Sequence, residues 1–156
     1  MEQGRYASAA ACFKAAREKH ATHTEALVNL GGVCVAMGKW EEAVETLRSV
    51  PAEDALIGLA RFFLGMALFY KGEAEPAAAG LDEALAHKGT RDIRELIDYS
   101  RGLVAMSRGD EAGAARLVVP ILDFNWSLLA QRCRKVVEVA EKGLRGKEAQ
   151  GQREVP

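Results

Sequence analysis

Two histidines and four pairs of acids are the residues of this chain most able to do chemistry. His20 and His23 are three residues apart and could share one face of a helix, a spacing that suits two imidazole ligands of a metal. No third nitrogen, sulfur or carboxylate ligand is indicated nearby, and a polar loop between helices explains the pair as well. The sequence therefore predicts no metal site and no cofactor.

The paired acids could supply the two carboxylates of a general acid–base site. They are Glu41-Glu42, Glu53-Asp54, Asp82-Glu83 and Asp110-Glu111. The helix dipole explains acids in the first turn of a helix, and solubility explains acids on solvated faces. The sequence also lacks the motifs of a nucleophilic serine, a phosphate-binding loop, a zinc protease and a dinucleotide fold. We therefore predict that the protein is not an enzyme.

Three widely spaced cysteines, Cys12, Cys34 and Cys133, form no Cys-x-x-Cys pair. Cys12 and Cys34 fall on apolar faces of expected helices, where a cysteine behaves as a small hydrophobic residue. Reduced thiols in a helical core are typical of a cytosolic compartment. We therefore predict a cytoplasmic location.

Composition and charge exclude several classes of partner. Apolar residues make up 49% and charged residues 28% of the chain, which is ordinary for one globular domain. The formal net charge of -1 gives no general attraction to nucleic acid or anionic lipid. The start of the chain has no uninterrupted apolar stretch and does not look like a signal peptide. The most apolar run, Ala55 to Tyr70, has 16 residues and contains Arg61. A membrane span needs about 20 residues, so we expect a buried helix there and no membrane span.

One short pattern recurs at a step of 34 residues, with a fourth copy after 37 residues. In each copy an alanine follows a turn glycine after five residues, and a bulky apolar residue lies four positions further on. A second glycine stands seven residues before three of the turn glycines. Such a period predicts stacked helical units that bury their apolar faces against their neighbours. The turn glycines are Gly4, Gly38, Gly72 and Gly109; the alanines are Ala9, Ala43, Ala77 and Ala114; the bulky residues are Phe13, Leu47, Leu81 and Val118; the second glycines are Gly31, Gly65 and Gly102.

This pattern resembles the tetratricopeptide repeat (TPR), a helix-turn-helix unit, over residues 1–123. The resemblance implies an all-α fold, a right-handed superhelix (solenoid) of antiparallel helical hairpins. We expect a first helix at 4–19 and a C-terminal capping helix after the last hairpin. The expected hairpins pair 24–37 with 40–49, 54–71 with 74–87, and 92–108 with 111–122.

The expected domain organisation is one TPR-like helical repeat domain over residues 1–144, followed by a disordered tail. The capping helix carries an apolar stripe and is polar on its outer side, as the end of a repeat stack requires. The tail is rich in charge, Gly and Gln and has almost nothing to bury. The expected divisions are a half repeat at 1–22, repeats at 23–56, 57–93 and 94–123, the capping helix at 125–144 and the tail at 145–156.

The first expected helix lacks the partner helix that would precede it in a full repeat. Part of its apolar face would then be exposed. Truncation of the chain, a helix supplied by a partner or a second copy, and a naturally incomplete unit would each account for this. Homo-oligomerisation through the exposed N-terminal half repeat is therefore one interaction that the sequence allows.

In TPR proteins the first helix of each hairpin lines a concave groove that binds peptides or helices. In this chain the matching positions are largely apolar, and helix 54–71 is apolar almost all round, which predicts burial on both sides. Either the capping helix folds back over this face, or an external helix or a second copy occupies it. The expected partner-binding residues are Val28, Leu59, Phe62, Met66, Phe69, Tyr70, Leu96, Tyr99, Leu103 and Met106.

We predict a non-catalytic protein–protein interaction module, an adaptor or assembly scaffold that binds a partner helix or peptide in this apolar groove. The alternative is a chaperone-like holder of apolar client segments, for which Met66 and Met106 would provide an adaptable surface. The carboxylate clamp of TPR co-chaperones is not matched, because only Asn29 agrees with it and Glu25 would repel a carboxylate.

Overall fold

The computed structural model describes residues 2–19, 23–123 and 128–151, and every regular element in these ranges is helical. Within these ranges, eight α-helices and two short 3₁₀ helices follow one another. The α-helices are α1 (Glu2–Lys19), α2 (Thr24–Ala36), α3 (Trp40–Arg48), α4 (Ile57–Tyr70), α5 (Ala74–Ala86), α6 (Arg94–Ser107), α7 (Glu111–Val118) and α8 (Leu128–Gly151), and the 3₁₀ helices are Lys88–Ile93 and Val119–Asp123.

The helices form two compact units, Met1–Asp92 and Ile93–Pro156. In the first unit α2 packs against α3, α4 packs against α5, and α1 lies against α2. In the second unit α6 packs against α7, and α8 contacts both of them. The expected all-α architecture of helical hairpins is confirmed.

Three helix-to-helix turns depend on a glycine with a positive φ. The φ angle is 74° at Gly38, 86° at Gly72 and 75° at Gly109. The residue after each glycine donates its N–H to the carbonyl five residues earlier at 2.9 Å, as Lys39 does to Cys34. This closure is typical of a helix that ends in a left-handed residue, and glycine adopts that conformation without a steric penalty. The prediction that these glycines end helices is confirmed.

The second glycine of the pattern lies where the two helices of a hairpin cross. A Cβ atom on Gly65 would lie 2.9 Å from Cγ of Leu81, and one on Gly102 would lie 2.7 Å from Cγ1 of Val118. The alanines of the pattern in the three hairpins, Ala43, Ala77 and Ala114, are each fully buried. The period in the sequence therefore reflects a close backbone approach that larger side chains would prevent.

Helices α4 and α6 begin later than the sequence predicts, because side chains hold turns in front of them. Before α4, the N–H of Leu56 donates to Oδ1 of Asp54 at 2.8 Å, and this bond lowers the pKa of Asp54. Before α6, Thr90 Oγ1 donates to the carbonyls of Ala84 at 2.5 Å and His87 at 2.7 Å. Short polar side chains that bond nearby backbone compete with helix formation in this way.

The core of the second unit depends on α8. Cys133, Val136 and Ala140 of α8 are buried, and the first two join a cluster with Ala114 and Val118 of α7. Burial also raises the pKa of the Cys133 thiol. The apolar stripe expected for the capping helix is therefore present, and its expected start at 125 lies outside the described residues.

Helix α8 continues to Gly151, so the expected disorder of the tail is wrong for the stretch before that residue. Lys147 Nζ donates to Oε2 of Glu111 at 2.6 Å and to the carbonyl of Gly109 at 3.0 Å. Composition alone indicated disorder because the tail buries little, but these contacts hold the last turns of α8 against the start of α7. Residues 152–156 lie outside the described part.

Cys12 is exposed, so the prediction that it is a core thiol is wrong. Ala10 of α1 is buried, at 8% exposure. Two positions further along a helix the side chain points to nearly the opposite side, away from α2. Cys34 is buried, as expected.

Candidate functional site

Two of the ten expected partner-binding residues belong to the core of the first unit. Val28 is 1% exposed and Phe62 is 6% exposed. Neither side chain can contact a partner unless the unit opens, so we leave both out of the candidate surface. Sequence position did not reveal this, because the crossing of neighbouring helices decides which groove-side residues are covered.

The other four candidates of the first unit lie on α4 and are at least partly open. Tyr70 is 47% exposed, whereas Leu59, Met66 and Phe69 are half-buried. The Tyr70 ring stacks on Trp40, with centroids 5.8 Å apart and planes inclined by 18°, and lies 5.5 Å from Phe69. Trp40 was not among the expected residues, although its place two positions after the turn glycine Gly38 was a signal for it.

A cavity of about 320 Å³ also lies in the first unit. None of the ten expected residues lines it. A Cβ atom on Gly32 would lie 3.0 Å from the Phe63 ring, so the glycine leaves room for that ring beside α2. The lining residues are Tyr6, Asn29, Gly32, Val33, Ala36 and Phe63.

The second unit has a cavity of about 310 Å³ between α6 and α8, which we call the α6–α8 cavity. On the α6 side it is lined by three expected residues, Tyr99, Leu103 and Met106. Leu96, the fourth candidate on α6, is 37% exposed and does not line it. The residues of α8 that line the cavity are Arg132, Lys135, Val136 and Val139.

Helix α8 covers only part of the α6 face. Tyr99, Leu103 and Met106 pack against the buried cluster that contains Val136, and they are half-buried. Val139, on the same cavity, remains 49% exposed. Within the second unit, the capping helix therefore folds against the expected binding face and still leaves an opening beside it.

A second cavity in this unit, of about 270 Å³, is lined by charged and apolar residues together. Arg94 and Arg116 line it together with Glu95 and Asp98. Because two cations accompany two carboxylates, this cavity favours neither sign of charge. It is a weaker candidate than the α6–α8 cavity for binding an apolar segment.

Two of the four acid pairs occupy helix starts, Glu41-Glu42 at α3 and Asp110-Glu111 at α7, whereas Asp82-Glu83 lies within α5. Glu41 and Glu42 lie in the first turn of α3, and Glu111 lies in that of α7. Asp110 precedes α7, and its Oδ1 accepts the N–H of Gly113 at 2.8 Å. These positions stabilise the positive end of each helix dipole.

Within the described ranges, no group of three His, Cys, Asp or Glu side chains could hold a metal ion. His20 lies outside these ranges, and His23 Nδ1 accepts the N–H of Ala26 at 3.3 Å. Over the same ranges, none of the helices combines the length and the apolar character needed to cross a bilayer.

The family model of the tetratricopeptide repeat matches residues 1–57. A crystal structure of MamA has a similar fold, with a TM-score of 0.67 and 20% identity over 95% of this chain and 94% of that chain. A second crystal structure of the MamA protein has a TM-score of 0.66 and 22% identity over 99% of this chain and 90% of that chain. Comparison with curated proteins gives no match. At 20–22% identity, the likeness to the MamA structures concerns the fold alone. The family match over residues 1–57 and the repeated glycine-alanine pattern agree with one another, and together they support a tetratricopeptide repeat assignment.

Proposed function

We propose that the protein is a non-catalytic adaptor or assembly scaffold, and that a partner helix or peptide binds in the α6–α8 cavity. The family supports protein–protein interaction in general. The observation that carries the proposal is an apolar cavity lined by Tyr99, Leu103 and Met106. These three residues are among those expected from the sequence to bind a partner, and aromatic and Met side chains are enriched at interfaces.

The aromatic group at the end of α4 is a second contact surface in this proposal. Tyr70, Trp40 and Phe69 form one cluster of rings, with Tyr70 the most exposed of the candidates on α4. Stacked rings provide a large contact area with little loss of side-chain freedom on binding. Leu59 and Met66 extend the apolar face along the same helix.

Affinity capture with two arginine variants tests the proposal. Met106→Arg places a charge in the α6–α8 cavity, whereas Val119→Arg alters a residue that is 46% exposed and lies outside it. The full chain and both variants would be used to capture proteins from an extract of the source organism, after circular dichroism has verified their helicity. We expect one partner that Val119→Arg retains and Met106→Arg loses. Partners that both variants retain would refute binding in this cavity.

A chaperone-like holder remains the alternative function. Met66 and Met106 are half-buried rather than fully packed, and flexible Met side chains suit a surface that accepts different segments. A holder should bind several unrelated amphipathic peptides with similar strength, whereas an adaptor should prefer one. Fluorescence anisotropy with a panel of unrelated peptides separates the two functions.

Self-association through α1 is a further part of the proposal. Ala9 is half-exposed on α1, although the matching alanine is fully buried in the other three copies of the pattern, and Tyr6 is 37% exposed. A small residue at this position would let a helix of a second copy cross closely. Light scattering should then show oligomers that Ala9→Arg abolishes and Ser8→Arg, at an exposed neighbouring position, does not. A wild-type chain that is monomeric at every concentration would refute this.

We also propose a cytoplasmic location. All three cysteines lie in the described part of the chain, and none is joined in a disulfide. Such thiols are usual in a reducing compartment. Cell fractionation with an antibody against the full chain tests this, and recovery in an oxidising compartment would contradict it.

A further inference from the structure

We infer that the segment bound in the α6–α8 cavity presents a large apolar side chain next to carboxylates. This inference rests on the proposed function, because it specifies the chemistry of the partner for the same cavity. Two features carry it, the apolar walls of the cavity and the cations that line it on the α8 side.

The walls of the cavity suit one large apolar side chain. Tyr99, Leu103 and Met106 line it from α6, and Val136 and Val139 line it from α8. Its volume of about 310 Å³ is at the lower end of the range for ligand pockets, about 300–1,000 Å³. A cavity of this size accepts an anchor side chain from a segment that otherwise lies on the surface.

Arg132 and Lys135 line the same cavity and are exposed, and we call these two residues the cationic edge. A helix advances about 100° per residue, so residues three, seven and ten positions apart share one face. Lys142, ten positions after Arg132, therefore extends the row of cations along α8 beyond Val139. A partner that lies along this row meets positive charge beside the apolar walls.

No carboxylate of the described residues lines the cavity, so the cationic edge has no counter-charge there. Two acids near the far end of the row already have partners, because Glu141 pairs with Arg145 and Glu111 pairs with Lys147. Within the part of the chain that the structure describes, the cationic edge forms no ion pair. Its charges are thus available to the carboxylates of a partner, whereas a basic segment would be repelled.

Selection from a library of random short peptides displayed on phage tests the inference with the full chain as bait. We expect enriched sequences in which Leu, Phe or Met stands within two residues of Asp or Glu. Synthetic copies of the enriched peptides would then be titrated by fluorescence anisotropy at low and high salt. Their affinity should fall with salt, because exposed charge pairs are screened.

Two neighbouring charge reversals provide the matched control. Lys135→Glu changes a residue that lines the cavity, whereas Arg134→Glu makes the same charge change at an exposed residue that does not. We expect Lys135→Glu to weaken binding of the enriched acidic peptides by about three- to tenfold, since it replaces an attraction by a repulsion. Arg134→Glu should change it less than about twofold, as for surface charges away from a contact.

The outcomes separate this inference from the function on which it rests. The enriched peptides could lack an acidic bias and still lose their binding in the Met106→Arg variant. That result would overturn the inference and leave the proposed function standing. Acidic peptides that bind equally well to Lys135→Glu and Arg134→Glu would also overturn it. Failure to enrich any peptide over an unrelated helical bait would refute the proposed function, and the inference with it.

Discussion

Replacing Gly102 by alanine tests whether the absent side chain sets the crossing of α6 and α7. The added Cβ atom would lie 2.7 Å from Cγ1 of Val118, whereas carbon atoms in optimal contact are about 3.5–4.0 Å apart. Val118 is fully buried, and a β-branched side chain in a helix has one strongly preferred rotamer. The strain can therefore be relieved only if the two helices move apart.

Two opposing contributions determine the effect on the free energy of unfolding. Alanine is a better helix former than glycine by about 0.8–1.0 kcal/mol, and overpacking a core costs about 1–3 kcal/mol. We expect Gly102→Ala to be destabilising by up to about 2 kcal/mol. Gly146→Ala is the control, because no atom lies within 4 Å of its added Cβ and it should stabilise α8 by up to about 1 kcal/mol. The difference between the variants isolates the cost of overpacking.

Urea unfolding followed by circular dichroism measures the free energy of unfolding of both variants. A double variant then checks whether the contact with Val118 causes the difference. Val118→Ala removes the atom that the new methyl group meets, so adding it to Gly102→Ala should cost less than the sum of the two single changes, by about 1 kcal/mol or more. The reasoning is wrong if Gly102→Ala stabilises the protein as much as Gly146→Ala does. Strictly additive effects of the two changes would also contradict it.

Three other predictions concern the first unit and the end of α8. Phe62→Arg should unfold the first unit, since losing a buried Phe costs about 3–5 kcal/mol. Tyr70→Arg, at an exposed ring, should cost no more than about 1.5 kcal/mol. Thermal melts of the two variants compare these effects. Gly72→Ala, at a φ of 86°, should cost about 1–2 kcal/mol in the same assay. The hydrogen bond from Lys147 lowers the pKa of Glu111, so this contact stabilises α8 above the ordinary value of 4.5 and is lost as pH falls through the lowered value. In an acid titration followed by circular dichroism, Glu111→Gln should remove the loss of helicity that protonation of Glu111 causes. An unchanged titration curve would contradict a stabilising role of the Lys147–Glu111 contact.

The parts of the fold that were predictable are those in which the spacing of residues reports a local steric requirement. A turn glycine such as Gly38 has a positive φ, and a crossing glycine such as Gly65 faces a neighbouring helix at short distance. The same requirement recurs in each hairpin, so the sequence contains it several times at a fixed step. Agreement among the copies made the helical hairpins predictable without any knowledge of long-range contacts.

The parts that were not predictable depend on contacts between residues far apart in sequence. The last turns of α8 are joined to the start of α7 by Lys147 and Glu111, and neither residue alone indicates that pair. Val28 and Phe62 were assigned to an open groove from their positions in the repeat, but neighbouring helices bury them. Tyr99 and Met106 occupy comparable positions and line a cavity, because there α8 covers the face incompletely.

Val139 distinguishes two explanations of the α6–α8 cavity. If the cavity is only imperfect packing, Val139→Phe should place a ring in it, bury more apolar surface and stabilise the second unit by up to about 1–2 kcal/mol. If a partner's anchor side chain occupies the cavity, the same ring should also compete with that anchor and abolish binding of peptides selected on the wild-type chain. We expect both effects together, a gain in stability with a loss of function. Val119→Phe, an exposed position outside the cavity, should produce neither effect. Undiminished peptide binding by Val139→Phe in a stabilised protein would show that the cavity is a packing defect and that the binding surface lies elsewhere.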